Sequence, residues 1–263
     1  MSDSTMIETC NATWNLWWGC YGPNGTEEKP DRCPYCYAHT LAKRKVRNCD
    51  LCREFVPHFH SEFLGLPGKW KKPRIVFVES MGDLAGEGVE YSWQAAVFNI
   101  MEMVRQHTYL VLTKRIDRMD DFLRHYHNRR IGKAEGDVSK IPELFPHVWF
   151  GVTITGNQDR PRLETLGRLP VAHRFVSYEP ILDSPPIIFP EPLDVEGYIN
   201  PKRVEWVIVG AQTGKQAKRP DYLWVQDVVA QCKAHNVPLF LKNSLHLGPG
   251  MRQFPPEMEG LKR

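Results

Sequence analysis

The chain has 263 residues, of which 42% are hydrophobic and 25% are charged, and its net charge is +3 at pH 7. This composition is typical of a soluble globular protein, and the length suits one large domain or two small ones. The net charge is too small to identify a nucleic-acid-binding protein by itself. No apolar run approaches the roughly 20 residues that span a bilayer, and the N-terminus lacks the pattern of a signal peptide. We therefore expect a cytoplasmic protein with no membrane partner.

Short apolar runs rich in β-branched and aromatic residues alternate along the chain with segments of helical spacing. The predicted strands are residues 12–18, 74–78, 108–112, 148–152, 173–176, 204–209 and 238–241. The predicted helices are residues 37–45, 91–106, 117–127, 160–166 and 222–235. This alternation predicts βα units and a parallel sheet that is covered on both faces.

Polar residues that are poor turn formers follow strand after strand. They are Glu79, Lys114, Glu179, Gln212 and Lys242. A βα barrel collects its active site at this edge, so we favour a complete or partial parallel βα barrel of the TIM type over an open doubly wound sheet.

No change in composition requires a domain boundary. We therefore expect one domain over residues 1–263 that includes the cysteine-rich segment 10–60. Residues 131–146 and 182–200 carry proline, glycine and charge, and they are predicted to be surface insertions or lids over the barrel mouth.

Five of the seven cysteines lie within residues 20–52. In a reducing compartment, cysteines at such short spacing are more typical of metal ligands than of disulfides. Cys20 follows the first predicted strand, and Cys33 and Cys36 precede a predicted helix. Three thiolates can hold an iron–sulfur cube that keeps one iron open. Such a cube would face the barrel mouth, with Tyr35 placed to cover it.

Cys49 and Cys52 leave two arrangements open. The first is a four-cysteine zinc site, because the two Cys-x2-Cys pairs at 33–36 and 49–52 match paired zinc knuckles. Helical spacing between the pairs argues against a zinc ribbon. In the second arrangement, Cys49 and Cys52 hold a separate metal together with His58, His60 or Cys10. The two histidines alternate as on a strand, with both imidazoles on one face, although at least one of them is expected to pack or cap.

Seven segments, residues 12–20, 36–38, 72–84, 111–115, 149–153, 177–180 and 206–210, carry a family resemblance over most of the chain. The cysteines resemble those of the radical S-adenosylmethionine (radical SAM) superfamily. More closely, the segments resemble an uncharacterised family, associated with phages and bacteria, within or beside that superfamily.

The resemblance implies an enzyme that holds a 4Fe-4S cluster on Cys20, Cys33 and Cys36. Such an enzyme cleaves S-adenosylmethionine reductively to a 5′-deoxyadenosyl radical, with electrons from a flavodoxin or ferredoxin. Implied cofactor contacts are Tyr35, Glu79, Ser80, Asp83, Thr153, Thr155, Asn157, Ser177, Glu179, Gly210 and Gln212.

Lys114, Arg115 and Lys242 at the predicted mouth suit an anionic substrate, and we expect a nucleic acid or a nucleotide. Two alternatives stay open. One is a non-catalytic zinc protein that binds nucleic acid, and the other is a metal-dependent barrel hydrolase.

Two features depart from the family pattern. Twelve residues, 21–32, separate Cys20 from Cys33, and this insertion loop is expected to bulge away. Gln212 stands where the family pattern has a glutamate, so a charge-based role at that position is in doubt. Outside the cysteine-rich segment, Cys232 lies within a predicted helix and is expected to be a small buried hydrophobe.

Overall fold

The computed structural model describes residues 5–44, 48–131, 144–189, 204–214, 217–248 and 250–261. Its strands are β1 (Ala12–Trp14), β2 (Ile75–Val78), β3 (Thr108–Thr113), β4 (Leu144–Ile154), β5 (Val171–Tyr178), β6 (Trp206–Val209) and β7 (Leu239–Leu241). Its α-helices are α1 (Tyr37–Ala42), α2 (Asp50–Glu54), α3 (Tyr91–Met103), α4 (Ile116–Ile131), α5 (Arg160–Arg168) and α6 (Tyr222–Ala234). Across these described ranges, every helix is too short or too polar to cross a membrane.

The seven strands form one parallel sheet in which they lie in sequence order, from β1 to β7. The register places Thr153 of β4 opposite Ser177 of β5, and Ser177 opposite Ile208 of β6. Within the part of the chain that the structure describes, β1 and β7 are the two edges of this curled sheet. The prediction of a parallel βα barrel is therefore confirmed in its partial form, as a half-barrel.

The sheet is apolar on both faces, which explains why its strands are near-continuous apolar runs. Successive side chains of a strand point to opposite faces. One set forms a floor on the concave face of the half-barrel: Ile75, Leu110, Trp149, Phe175, Trp206, Ile208 and Phe240. The alternate set packs against the helices on the convex face and includes Val76, Tyr109, Val111, Phe150, Val176 and Val207. Polar residues beyond the strands therefore stand above an apolar floor.

One ionisable side chain, His173, is packed into this floor. Its ring stacks on Trp149 with ring centroids 4.5 Å apart, and its Nδ1 lies 3.3 Å from the carboxylate of Glu205. The hydrogen bond with Glu205 raises the pKa of His173 above its ordinary value, because it favours the imidazolium.

The first strand is shorter than the predicted residues 12–18. β1 ends at Trp14, because the next backbone N–H groups leave the sheet ladder. Those of Leu16 and Trp17 instead donate to the carboxylate of Glu79, at 2.5 and 3.4 Å. A side chain that is distant in sequence thus ends the strand.

Both predicted insertions lie partly outside the described residues. In the first, residues 132–143 are not described, while residues 144–146 belong to β4. Phe145 extends the strand past the predicted start, because it is buried against Phe98 with ring centroids 5.0 Å apart. In the second, residues 190–200 are not described. Its described part leads to the convex face, where Ile188 donates its N–H to Gln231 of α6 at 2.9 Å.

Candidate active site and metal centre

Three of the predicted site residues lie on the concave face, between the apolar floor and the carboxyl edge of the sheet. They are Lys114, Thr153 and Ser177. The Lys114 Nζ lies 3.5 Å from Thr153 Oγ1 and 6.0 Å from the ring centroid of Tyr35. Thr153 and Ser177 are both buried and lie opposite each other in the sheet. Among the described carboxylates, none forms an ion pair with Lys114. Within the described residues, the half-barrel therefore holds an ammonium group without a carboxylate partner beside the Thr153 hydroxyl.

Glu179, Gly210 and Lys242 form a second group at the same edge. The Lys242 ammonium makes an ion pair with the Glu179 carboxylate. Gly210 permits this arrangement, since a Cβ at Gly210 would lie only 2.7 Å from Glu179 Oε1.

The Tyr37 hydroxyl donates to the Ser80 carbonyl at 2.5 Å. Burial of that hydroxyl, followed by the Glu179 charge, raises the pKa of Tyr37.

Asp83 joins the ends of β2 and β3. Its carboxylate accepts hydrogen bonds from Thr113 Oγ1 at 2.6 Å, and from the backbone N–H groups of Lys114 and Ala85 at 3.0 Å each. The predicted cofactor contacts Asp83 and Glu79 are thus both engaged with the framework, where each carboxylate holds a strand ending in place.

Sequence reasoning missed Asn15, which has a similar role. The Asn15 Oδ1 accepts from Ser80 Oγ and from the Met81 N–H, both at 3.1 Å, and so connects the exit of β1 to the exit of β2. Asn15 directly follows β1, so the expectation that polar site residues follow strands applies to it. It was missed because the predicted first strand extended to residue 18 and therefore included Asn15.

Cys20 and Cys36 pack against the same small apolar cluster, and the Cys36 N–H donates to the Cys33 carbonyl at 3.0 Å. All three are free thiols. Burial, followed by the charge of Asp83, raises the pKa of Cys20 to about 12. Burial also raises the pKa of Cys36. The positive charge of Lys114 acts in the opposite direction on the pKa of both thiols.

Cys20, Cys33 and Cys36 are not among the described groups whose ligand atoms converge for a single metal ion. Thiolates are nevertheless the donor type that an iron–sulfur cluster requires. The Cys20 sulfur accepts a hydrogen bond from the Gly22 N–H at 3.2 Å, and the Cys36 sulfur accepts one from the His39 N–H at 3.4 Å. Such donors favour thiolates, the form that binds metal.

The insertion loop, residues 21–32, is closed at its base and attached to the end of β3. The Asp31 N–H donates to the Tyr21 carbonyl at 2.8 Å and closes the loop at its base. The Arg115 guanidinium donates to the Gly22 carbonyl at 2.8 and 3.0 Å, and also to the carbonyl of Gly25. Arg115, a predicted substrate contact, therefore anchors this loop.

Thr155 and Asp159 form a polar cap after β4. The Asp159 carboxylate accepts from the Thr155 N–H at 2.7 Å and from its hydroxyl at 2.8 Å, and it pairs with Arg162 at 2.8 Å. Burial and then the Cys33 thiol raise the pKa of Tyr35.

The predicted contacts Asn157 and Gln212 lie at the rim of the half-barrel. Asn157 is exposed, and the Gln212 Oε1 accepts a 3.4 Å hydrogen bond from the Lys218 N–H. The structure therefore does not bring these two side chains into the group around Lys114.

Cys49 and Cys52 converge with His58 and His60. The potential ligand atoms of these four residues all lie within 4.8 Å of one another. Over the described ranges, Cys33 and Cys36 do not belong to this group, so the two Cys-x2-Cys pairs do not form one four-cysteine centre. Three residues were predicted as possible partners of Cys49 and Cys52. Two of them, His58 and His60, lie in this group. The third, Cys10, packs with the apolar floor.

Comparison with known proteins identifies a family. Residues 4–254 match the family described as "Protein of unknown function (DUF5131)", so the chain belongs to DUF5131. No curated protein and no solved structure matches the chain.

Proposed function

We propose that this DUF5131 chain is a half-barrel enzyme of the radical SAM type, with a 4Fe-4S cluster on Cys20, Cys33 and Cys36. One observation supports the proposal: three free thiols lie after β1 at the carboxyl edge of a parallel βα half-barrel, the edge at which Lys114 follows β3. Active sites of such barrels gather at this edge. The resemblance of the chain to radical SAM enzymes supplies the identity of the cofactors.

A cluster of this type, when bound, supplies the electron that cleaves S-adenosylmethionine into methionine and a 5′-deoxyadenosyl radical. The protein has to bind the cofactor, orient it and exclude water. The hydroxyls of Thr153 and Ser177 offer hydrogen bonds along one wall of the mouth. The apolar floor below them keeps water from that side.

The paired Glu179 and Lys242 have a positioning role in this proposal. Because their charges neutralise each other, the wall beside Gly210 carries little net charge and accepts an uncharged adenosine moiety. Glu79 and Asp83 act indirectly, since their carboxylates fix the strand endings from which the mouth is built.

Lys114 is the residue that we assign to an anionic group of the substrate, such as the phosphate of a nucleotide or nucleic acid. The other two predicted cations are already engaged, Arg115 with the insertion loop and Lys242 with Glu179. An unpaired ammonium beside a hydroxyl is a suitable site for a phosphate oxygen.

The test is anaerobic incubation of the reconstituted protein with S-adenosylmethionine and dithionite, followed by quantification of 5′-deoxyadenosine. We expect 5′-deoxyadenosine from the wild type and from Cys232→Ala, in which a buried cysteine far from the mouth is changed. Cys20→Ala, Cys33→Ala and Cys36→Ala should form none above the protein-free background. Equal product from wild type and Cys20→Ala would refute the proposal.

A further inference from the structure

The structure assigns a structural zinc site to Cys49, Cys52, His58 and His60. Cys49 is the residue just before α2 and Cys52 lies on it, so the two are about one helical turn apart. α2 ends at Phe55, which adopts a left-handed conformation with φ 61°. The Val56 N–H donates back to the Leu51 carbonyl at 3.0 Å, so the chain reverses and returns along the helix. This reversal carries both histidines to the two sulfurs.

The distances fit a tetrahedral zinc ion. Zn–S bonds of about 2.3 Å and Zn–N bonds of about 2.0–2.1 Å in a tetrahedron place each sulfur roughly 3.6 Å from each nitrogen. In the structure, Cys49 Sγ lies 3.1 Å and Cys52 Sγ 3.6 Å from His58 Nε2, and Cys52 Sγ lies 3.3 Å from His60 Nε2. Two thiolates and two imidazoles in tetrahedral arrangement are a typical zinc donor set.

The outer hydrogen bonds orient both Nε2 atoms towards the two sulfurs. The His58 Nδ1 lies 2.8 Å from the Val56 carbonyl, and the His60 Nδ1 lies 2.8 Å from the Glu62 carboxylate. A carbonyl and a carboxylate only accept, so each Nδ1 carries the proton and each Nε2 presents its lone pair. Metal-binding histidines are oriented in this way by their other nitrogen.

Charge and burial also favour zinc at this position. Cys52 is buried in a small apolar cluster with Trp18, Ala38, Ala42, Phe55 and Met81. Two thiolates neutralise Zn²⁺, so the centre adds no net charge to that cluster. Four protein ligands also fill the coordination shell, as in structural rather than catalytic zinc sites.

The zinc site supports the exit of β1, because segment 56–60 packs directly against it. The His60 N–H donates to the Leu16 carbonyl at 2.7 Å. Gly19 has φ 156°, and a Cβ there would lie 2.4 Å from the Val56 carbonyl carbon, so the two backbones are in close contact. Cys20, the next residue, is therefore held in part by the segment that zinc would fix.

The experiment is zinc and iron analysis of the full-length protein purified anaerobically, combined with zinc K-edge X-ray absorption. We expect about one zinc per chain, bound by two sulfurs at about 2.3 Å and two nitrogens at about 2.0–2.1 Å. Cys52→Ser and His58→Gln should lose the zinc, while Cys232→Ala should keep it. A wild-type protein without zinc, or full zinc in Cys52→Ser, would overturn the assignment. So would a shell of four sulfurs.

A milder variant keeps the test decisive if Cys52→Ser does not fold. Glu62 is largely exposed, and Glu62→Gln replaces only the carboxylate that holds the His60 ring. We expect this variant to fold and to bind zinc with about 10-fold lower affinity than the wild type, as measured by competition with a chelator. The zinc affinity of Glu164→Gln, which lies on α5, should match that of the wild type. Unchanged affinity in Glu62→Gln would contradict the role given to His60. Zinc and iron are counted separately, so this inference and the cluster proposal can fail independently.

Discussion

Glu79→Gln should destabilise the protein even when no cofactor is bound. The Glu79 side chain is buried, and its carboxylate accepts from the Leu16 and Trp17 N–H groups at 2.5 and 3.4 Å. Gln removes the charge and offers one acceptor oxygen where the carboxylate has two. Hydrogen bonds to a charged group contribute about 1.5–3 kcal/mol each, so weakening one and losing the other should cost about 2–4 kcal/mol. In a chain of this size, that is a fall of roughly 4–16 °C in Tm.

Urea denaturation of the metal-free protein, followed by tryptophan fluorescence and circular dichroism, measures this cost. The matched control is Glu164→Gln, since Glu164 lies on α5 in an exposed pair with Arg160 at 3.4 Å and should change the free energy of unfolding by less than about 1 kcal/mol. If Glu79→Gln unfolds at the wild-type urea concentration and loses only cofactor binding, then Glu79 is a ligand-binding residue. The framework role given to it here would be wrong.

Three further predictions concern other parts of the molecule. Arg115→Met should make trypsin cleavage within the insertion loop (residues 21–32) roughly tenfold faster, because the hydrogen bonds that hold the loop to β3 are lost; an unchanged rate would contradict the anchoring role. The pKa of His173 is raised in the folded state, so its stabilisation is complete below about pH 6.5 and is lost as the pH rises through the folded value. Wild type should therefore exceed His173→Phe in urea resistance by about 0.5–1 kcal/mol at pH 6 and by less at pH 9, and a difference that grows with pH would refute this. Gly210→Ala should lower 5′-deoxyadenosine formation roughly 10–100-fold by displacing the adjacent carboxylate, whereas Gly65→Ala, whose Cβ would contact nothing within 4 Å, should not.

The architecture was largely predictable because the sheet is buried on both faces, which leaves a strong periodic signal in every strand. The order of the units then predicts sequential parallel pairing, as observed. The errors occur where distant residues decide a boundary. β1 ends early because the N–H groups of Leu16 and Trp17 donate to the Glu79 carboxylate. β4 begins early because Phe145 packs on Phe98 of α3. Neither contact has a local signature.

The sequence predicted which polar residues follow the strands, but it did not predict their hydrogen-bond partners. Polar residues after strands do gather at one edge, as Lys114 and Glu179 illustrate. Sequence cannot tell which of them are free to bind a ligand, because Arg115 is engaged by a loop some 90 residues away in the chain.

The partners of Cys49 and Cys52 were equally hard to predict. Spacing favoured a second Cys-x2-Cys pair, whereas the left-handed turn at Phe55 brings two histidines to these sulfurs. Left-handed geometry is uncommon for a bulky residue such as phenylalanine, so this reversal was not expected from local preference.

Iron and acid-labile sulfide analysis after anaerobic reconstitution tests the central proposal most directly. Wild type should bind about four irons and four sulfides per chain in addition to the proposed zinc, and its electron paramagnetic resonance spectrum after reduction should change when S-adenosylmethionine is added. Cys20→Ala should bind zinc while failing to hold the full cluster. A wild-type protein that takes up no iron, or a cluster whose spectrum is unaffected by S-adenosylmethionine, would contradict the account.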